Sequence, residues 1–237
     1  MSSTQRHDVA TPVGIARLHV YQSVAPRAVF FLGHGAGRGV DTADLETLAG
    51  ALPGLGATVI LVDQPWVVNG GRIAPAPATL DRAWCAAVGQ AYAVMPELSL
   101  LPLVLGGRSA GARVAARTAA GLGAVALLLL AVPLTPPSAR QDADRARVAR
   151  EIRVAELGLA LSIGIPTVAV QGDRDQFGDG PALRAAVDSQ LSSWAAARLE
   201  VLAVPGADHS LCVRVQDRNP ADALVAAAGL TLAHVLR

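Results

Sequence analysis

Short apolar runs recur along this chain, and stretches with helical spacing separate them. Arg27–Leu32, Ala57–Val62, Leu101–Gly106, Ala124–Ala131, Pro166–Val170 and Leu199–Val204 read as strands, and Gly14–Val20 alternates weakly, as an edge strand would. Ala124–Ala131 is apolar at every position, the pattern of a strand covered on both faces. Helical spacing marks Asp41–Leu52, with Asp41 or Thr42 as N-cap, and Thr79–Met95, with Asp81 in its first turn. It continues in Ala110–Ala120, Asp142–Ala160, Pro181–Leu191 and Ala221–Leu236, of which Asp142–Ala160 reads as a mostly solvated, charged face. Strands alternate with helices throughout. The expected fold class is therefore α/β: a mostly parallel central sheet of about seven strands, joined by right-handed crossovers, with helices on both faces. No repeat, low-complexity tract or linker interrupts it, so residues 1–237 read as one domain.

Composition narrows the function. Of 237 residues, 52% are hydrophobic and 16% charged, enough to build a core without disulfides. A net charge of +1 and an aromatic content of 3% argue against a nucleic-acid or anionic-membrane partner. Every basic residue is arginine, which excludes a Walker A lysine, a pyridoxal Schiff base and a lysine-assisted dehydrogenase site. Cys85 and Cys212 form no C-x-x-C pair and are expected to be small buried hydrophobes. Met1–Asp8 has no apolar signal core, and the longest apolar run, Ala124–Leu134, is too short to span a bilayer and contains Pro133. The expectation is a soluble, cytoplasmic protein; its oligomeric state is left open, a homodimer included.

The candidate chemistry begins at Gly107-Arg-Ser-Ala-Gly111, which joins an apolar strand directly to an alanine-rich helix. In that setting the serine sits on a sharp turn with its hydroxyl above the sheet edge. Side chains at Gly107 or Gly111 would collide where strand and helix cross. The competing reading is a tight turn with a serine N-cap. A serine hydroxyl needs a base to take its proton and a carboxylate to orient that base. Both should come from other strand ends, in the order serine, acid, histidine. Ser109, then Asp173 or Asp175, then His209 meet that order, each just past an apolar strand. Asp175 is preferred as the acid, with Asp173 holding the turn and Asp208 structural. The Ala110 amide, next to the nucleophile, and the Ala36 amide, in the loop Gly33-His-Gly-Ala-Gly37, are the expected oxyanion donors. Gly35 lets that loop approach the substrate, and His34 is expected to anchor it. Trp66, Phe177 and the prolines after Val132 are expected to line the acyl pocket, while Arg108 and Arg174 flank the site, either favouring an anionic substrate or standing as solvated arginines. The loop fails the G-x-G-x-x-G spacing, although Asp63 resembles a ribose-binding acid. No ligand spacing supports a metal at His34, Asp175 and His209, and no cofactor is expected.

Four motifs together resemble a known family: His34-Gly-Ala-Gly37, Gly107-Arg-Ser-Ala-Gly111, Gly172-Asp-Arg-Asp175 with Phe177-Gly178, and Gly206-Ala-Asp-His-Ser210. From about Gly14 to the C-terminus the chain is similar to small α/β-hydrolases, close in layout to dienelactone-hydrolase-like serine esterases. The resemblance implies the α/β-hydrolase fold and a Ser109–His209–Asp175 triad, with the acid three residues after Gly172. It implies no large cap domain, because no large insertion follows the Ala124–Ala131 strand. Dienelactone hydrolases use cysteine where this chain has Ser109, so the implied substrate is a small carboxylic ester or thioester rather than a dienelactone. Two other readings keep the fold: a non-catalytic scaffold, or an acyltransferase or perhydrolase using the same triad.

Overall fold

A computed structural model describes residues 4–139, 141–213 and 220–236, so residues 1–3 of the N-terminal stretch and residue 140 of the proline-rich loop lie outside it. One sheet organises the chain. Its strands are β1 (Thr4–Thr11), β2 (Gly14–Tyr21), β3 (Ala28–Gly33), β4 (Ala57–Asp63), β5 (Leu103–Arg108), β6 (Ala126–Leu130), β7 (Thr167–Gly172) and β8 (Leu199–Val204). Their spatial order is β1-β2-β4-β3-β5-β6-β7-β8. The β1/β2 and β2/β4 pairs are antiparallel, and every pair from β4 to β8 is parallel.

Among the described residues the sheet thus has eight strands, in line with the expected layout, and Gly14–Tyr21 is not its edge. The edge is β1, which sequence pattern misses because only Val9 of its apolar positions is buried. A polar strand of this kind is held by its ladder to β2 and by a bidentate Arg17–Asp8 pair at 2.7 and 2.8 Å. Inside, the period-two rule sorts neighbours to opposite faces. Phe31 and Ile60 point into the core under α3 (Pro77–Val94), α4 (Ala110–Leu122), α5 (Ala143–Leu161) and α6 (Gly180–Gln190). Phe30 and Leu61 point into the core under α1 (Ala43–Ala51) and α8 (Pro220–Val235).

Several helix ends follow from local chemistry. Asp142 caps α5 by accepting from the Arg145 N–H, and Asp179 caps α6 by accepting from the Ala182 N–H. Thr42 holds the N-cap position of α1 but makes no side-chain cap bond, contrary to expectation. The α5 helix is more than a solvated face, since Val154, Leu157 and Leu161 are buried. Its Glu156 also accepts from Arg113 at 2.6 and 2.7 Å and from Arg117 at 3.0 Å. Arg117 in turn holds Asp81 of α3 at 2.6 and 2.8 Å. This ion cluster ties α3, α4 and α5 together below the start of α4. Burial, with Arg113 close by, pulls Arg153 down to about 10. The cysteines also depart from expectation: Cys85 is half-buried and Cys212 is exposed, both with free thiols.

Among the described residues, no large cap domain covers the carboxyl edge of the sheet. Among the described residues, no helix is long and apolar enough to cross a membrane.

Candidate active site

Because β3 through β8 run parallel, the loops that follow them open on one edge, and the polar clusters meet there. Between β5 and α4 the chain turns through Ser109 at φ 53° and ψ −105°. A non-glycine residue in this region is strained and persists only where its surroundings over-determine it. Here Gly107, at φ 141°, and Gly111 permit the turn, since a Cβ on either would overlap the Gly33 backbone. The Ser109 N–H donates to Leu130 O at 2.9 Å, which fastens the turn to β6. Ser109 occupies the N-cap position of α4 without capping it, so its hydroxyl is free for other work.

That hydroxyl lies 3.0 Å from His209 Nε2, on the loop after β8. His209 Nδ1 lies 2.8 Å from Asp175 Oδ2, on the loop after β7. A carboxylate only accepts, so the ring proton is on Nδ1 and Nε2 faces the serine as an acceptor. The Asp175 side chain is 0% exposed. Its Oδ1 accepts from the Phe177 N–H at 2.8 Å, and its Oδ2 accepts from Gln171 Nε2 at 3.2 Å. The three residues read from the sequence as nucleophile, base and acid are therefore brought into one hydrogen-bonded row. Asp173 lies elsewhere, accepting from the Gly206 N–H at 2.7 Å and so tying the acid loop to the histidine loop rather than to its own turn. Asp208 accepts from the Ser210 N–H at 2.8 Å.

Two residues hold this row in place that sequence reasoning did not find in that role. Gln171 is fully buried in β7. Its Oε1 accepts from the Val132 N–H at 2.9 Å, and its Nε2 contacts Val132 O at 3.0 Å and Gly178 O at 2.6 Å as well as Asp175. Its one sequence signal was a polar residue directly after the apolar run Pro166–Val170. Arg108 was expected to face the substrate. Its Nη2 instead donates to His209 O at 3.0 Å and Ser210 Oγ at 3.3 Å, and its Nε lies 3.2 Å from Asp44 Oδ2. Asp44 is 3% exposed, and the pair is a charge contact rather than an aligned hydrogen bond. Arg108 is thus enclosed between α1 and the histidine loop. Arg174 is exposed, and its N–H donates to Ala207 O at 3.0 Å.

The glycine-rich loop after β3 closes the other side. His34 is buried; its Nε2 accepts from the Gln64 N–H at 3.1 Å, so its proton sits on Nδ1 and is donated to Gly35 O at 2.8 Å. Burial pushes the His34 imidazole below its ordinary value and keeps it neutral, a loop anchor. The carbonyl of Gly35 and the N–H of Ala36 belong to one trans peptide and point opposite ways. Anchoring the carbonyl on His34 therefore fixes the direction of the Ala36 N–H. Ala36 is exposed at the loop tip, and Gly35 packs on the serine, since a Cβ there would meet Ser109 Cβ at 3.6 Å. Asp63 is fully engaged, bonding His19 Nε2 at 2.9 Å and accepting from the Val40 N–H at 2.9 Å. Burial pushes its carboxyl up, and these two bonds more than offset that, so it sits below its ordinary value.

Trp66, in the short helix α2 (Pro65–Val68), stands edge-on to the His34 ring at 5.4 Å. It lines a small cavity with Ala110 and Gly35. The Phe177 ring lies 4.1 Å from the His209 ring, tilted by 42°, so its contact is with the imidazole.

Known proteins carry similar architecture. Residues 26–236 match the model of a family described as an alpha/beta hydrolase domain. No curated protein matches the chain in sequence. Among solved structures, a dienelactone hydrolase from Anabaena variabilis is 15% identical, with TM-score 0.73 over 100% of this chain and 99% of its own. An alpha-beta serine hydrolase homologue from Coxiella burnetii is 18% identical, with TM-score 0.69 over 99% and 98%. A carboxyl esterase from Bacillus coagulans is 15% identical, with TM-score 0.68 over 100% of both chains.

Proposed function

The chain belongs to the alpha/beta hydrolase family, and on that premise we propose that it is a serine hydrolase cleaving a small carboxylic ester or thioester. The observation that carries this reading is the continuous row from Ser109 Oγ to His209 Nε2 at 3.0 Å and from His209 Nδ1 to Asp175 Oδ2 at 2.8 Å. Ser109 Oγ attacks the substrate carbonyl carbon while His209 Nε2 takes the hydroxyl proton. The carbonyl π pair moves onto oxygen, where the Ala110 and Ala36 amides stabilise it. As the carbonyl re-forms, the bond to the leaving oxygen or sulfur breaks, and His209 gives that atom the proton. A water then attacks the acyl-enzyme with His209 again as base, releasing the acid and restoring Ser109. Asp175, buried and acceptor-only, keeps the ring proton on Nδ1 and stabilises the imidazolium.

The His209 side chain keeps 15% exposure on an edge without a large cap, so water reaches the acyl-enzyme. This favours hydrolysis over transfer to another acceptor. The esterase named among the similar structures fits a carboxylic ester as substrate. The test is labelling with a fluorophosphonate, with the modified residue located by mass spectrometry. The expected result is label on Ser109 that disappears in Ser109→Ala and in His209→Ala. A folded protein that takes no label is a non-catalytic scaffold, and the proposal fails.

A further inference from the structure

An ester held on Ser109 must place its acyl group beside the Ala110 amide. The space there is a cavity of about 10 Å³, close to the free volume that one water-sized group needs. Ala110, Gly35, Val114 and Leu80 supply much of its wall, with Gln64 and Trp66 completing it. Two polar side chains of this lining carry an unpaired buried atom. Gln64 is 5% exposed, and among the described residues its Oε1 has no hydrogen-bond partner. Trp66 Nε1 is likewise buried and unpartnered among the described residues. Both residues are tied to His34. His34 accepts from the Gln64 backbone N–H, and its ring packs against the Trp66 indole.

The residues that carry this buried acceptor and this buried donor thus both line the cavity beside Ala110. Buried polar groups are normally paired, and leaving them unpaired is unfavourable. A hydroxyl carries both complements, a donor for Gln64 Oε1 and an acceptor for Trp66 Nε1–H. A methyl group of similar size answers neither, and by filling the cavity it would bar water from doing so.

We propose that this cavity is an acyl subsite selective for a hydroxyl, so that the preferred substrates are esters of short 2- or 3-hydroxy acids. This rests on the serine hydrolase reading above. The test compares kcat/KM, by acid release, for ethyl lactate against ethyl propionate and ethyl 3-hydroxybutyrate against ethyl butyrate. In at least one pair the hydroxy ester is expected to be favoured by roughly 10- to 100-fold. In Gln64→Leu and in Trp66→Phe the ratio is expected to fall toward one. Because each ratio is taken on a single sample, it does not depend on how much of the variant is folded. Ratios near or below one in both wild-type pairs overturn the subsite, as does a preference that both variants keep. Fluorophosphonate labelling of Ser109 runs alongside. Labelling without a preference, or without turnover of any of the four esters, overturns the subsite alone; neither labelling nor turnover overturns the hydrolase reading with it.

Discussion

Replacing Arg108 with methionine decides whether this residue serves the substrate or the scaffold. The change keeps a long side chain but removes the charge facing Asp44, whose carboxylate is 3% exposed and whose other oxygen accepts only from the Leu45 N–H at 3.0 Å. Stranding a buried charge in this way costs about 3–5 kcal/mol. Loss of the bond to His209 O adds about 1 kcal/mol. Against a total stability of about 5–15 kcal/mol this is a large fraction. At about 2–4 °C per kcal/mol for a chain of this size, Tm should fall by about 10–20 °C. Urea unfolding at unchanged m-value is the assay. The double variant Arg108→Met with Asp44→Leu removes both charges and should recover at least about 2 kcal/mol of the loss. In the single variant kcat should drop about tenfold with little change in KM, because the histidine loop has lost its clamp. A single variant within about 1 kcal/mol of wild type, whose KM rises only for anionic esters, would show that Arg108 binds substrate and would refute the argument.

Other expectations follow from the site. Ser109→Gly should be inactive yet more stable than Ser109→Ala by about 1 kcal/mol in denaturant unfolding, because glycine accepts φ 53° without strain. Asp175→Asn should lower kcat by about 10⁴-fold by disturbing the His209 tautomer, whereas Asp173→Asn, which only weakens an acceptor for Gly206, should stay within about threefold. Gln171→Leu should leave Val132 and Gly178 groups unpaired and cost about 2–4 kcal/mol, and steady-state kinetics should show a kcat loss with little KM change. His34 is held below its ordinary 6.5 in the folded state. The unfolded chain therefore binds the extra proton first, and stability is full above that value and declines as pH falls below it, by up to about 1.4 kcal/mol per pH unit. In unfolding measured between pH 7 and 5, His34→Asn should remove that part of the slope.

The repeating unit of strand and helix was legible because each strand is a local apolar run bounded by turn residues. The row of Ser109, Asp175 and His209 was legible for a related reason: a parallel sheet sends every strand end to one edge, so chain order alone predicted the meeting. What stayed hidden depends on partners that only the folded chain brings together. Arg108 meets Asp44, 64 positions earlier, and His209 O, 101 positions later, and nothing near Arg108 announces either. The polarity of β1 concealed a strand that its pairing with β2 stabilises rather than its own burial. Gln171 fell just past the run read as a strand; its value lies in four contacts that exist only once β6 and the loop after β7 are adjacent.

The histidine loop leaves from β8, which is the last strand in the chain and the outer member of the parallel array, with only its end residues Leu199 and Val204 buried. Edge elements with sparse burial open at lower free energy than the interior of a sheet. The serine, by contrast, is fastened to β5 and β6 near the middle. The two halves of the row thus sit in regions of unequal persistence. In mild denaturant, His209 should depart while the elbow stays formed, and the proposed hydrolytic activity should be lost reversibly before the bulk of the helix signal. Catalysis in this molecule is then a sensor of the cohesion of one margin rather than of the whole, and heat or urea should silence it well before unfolding it.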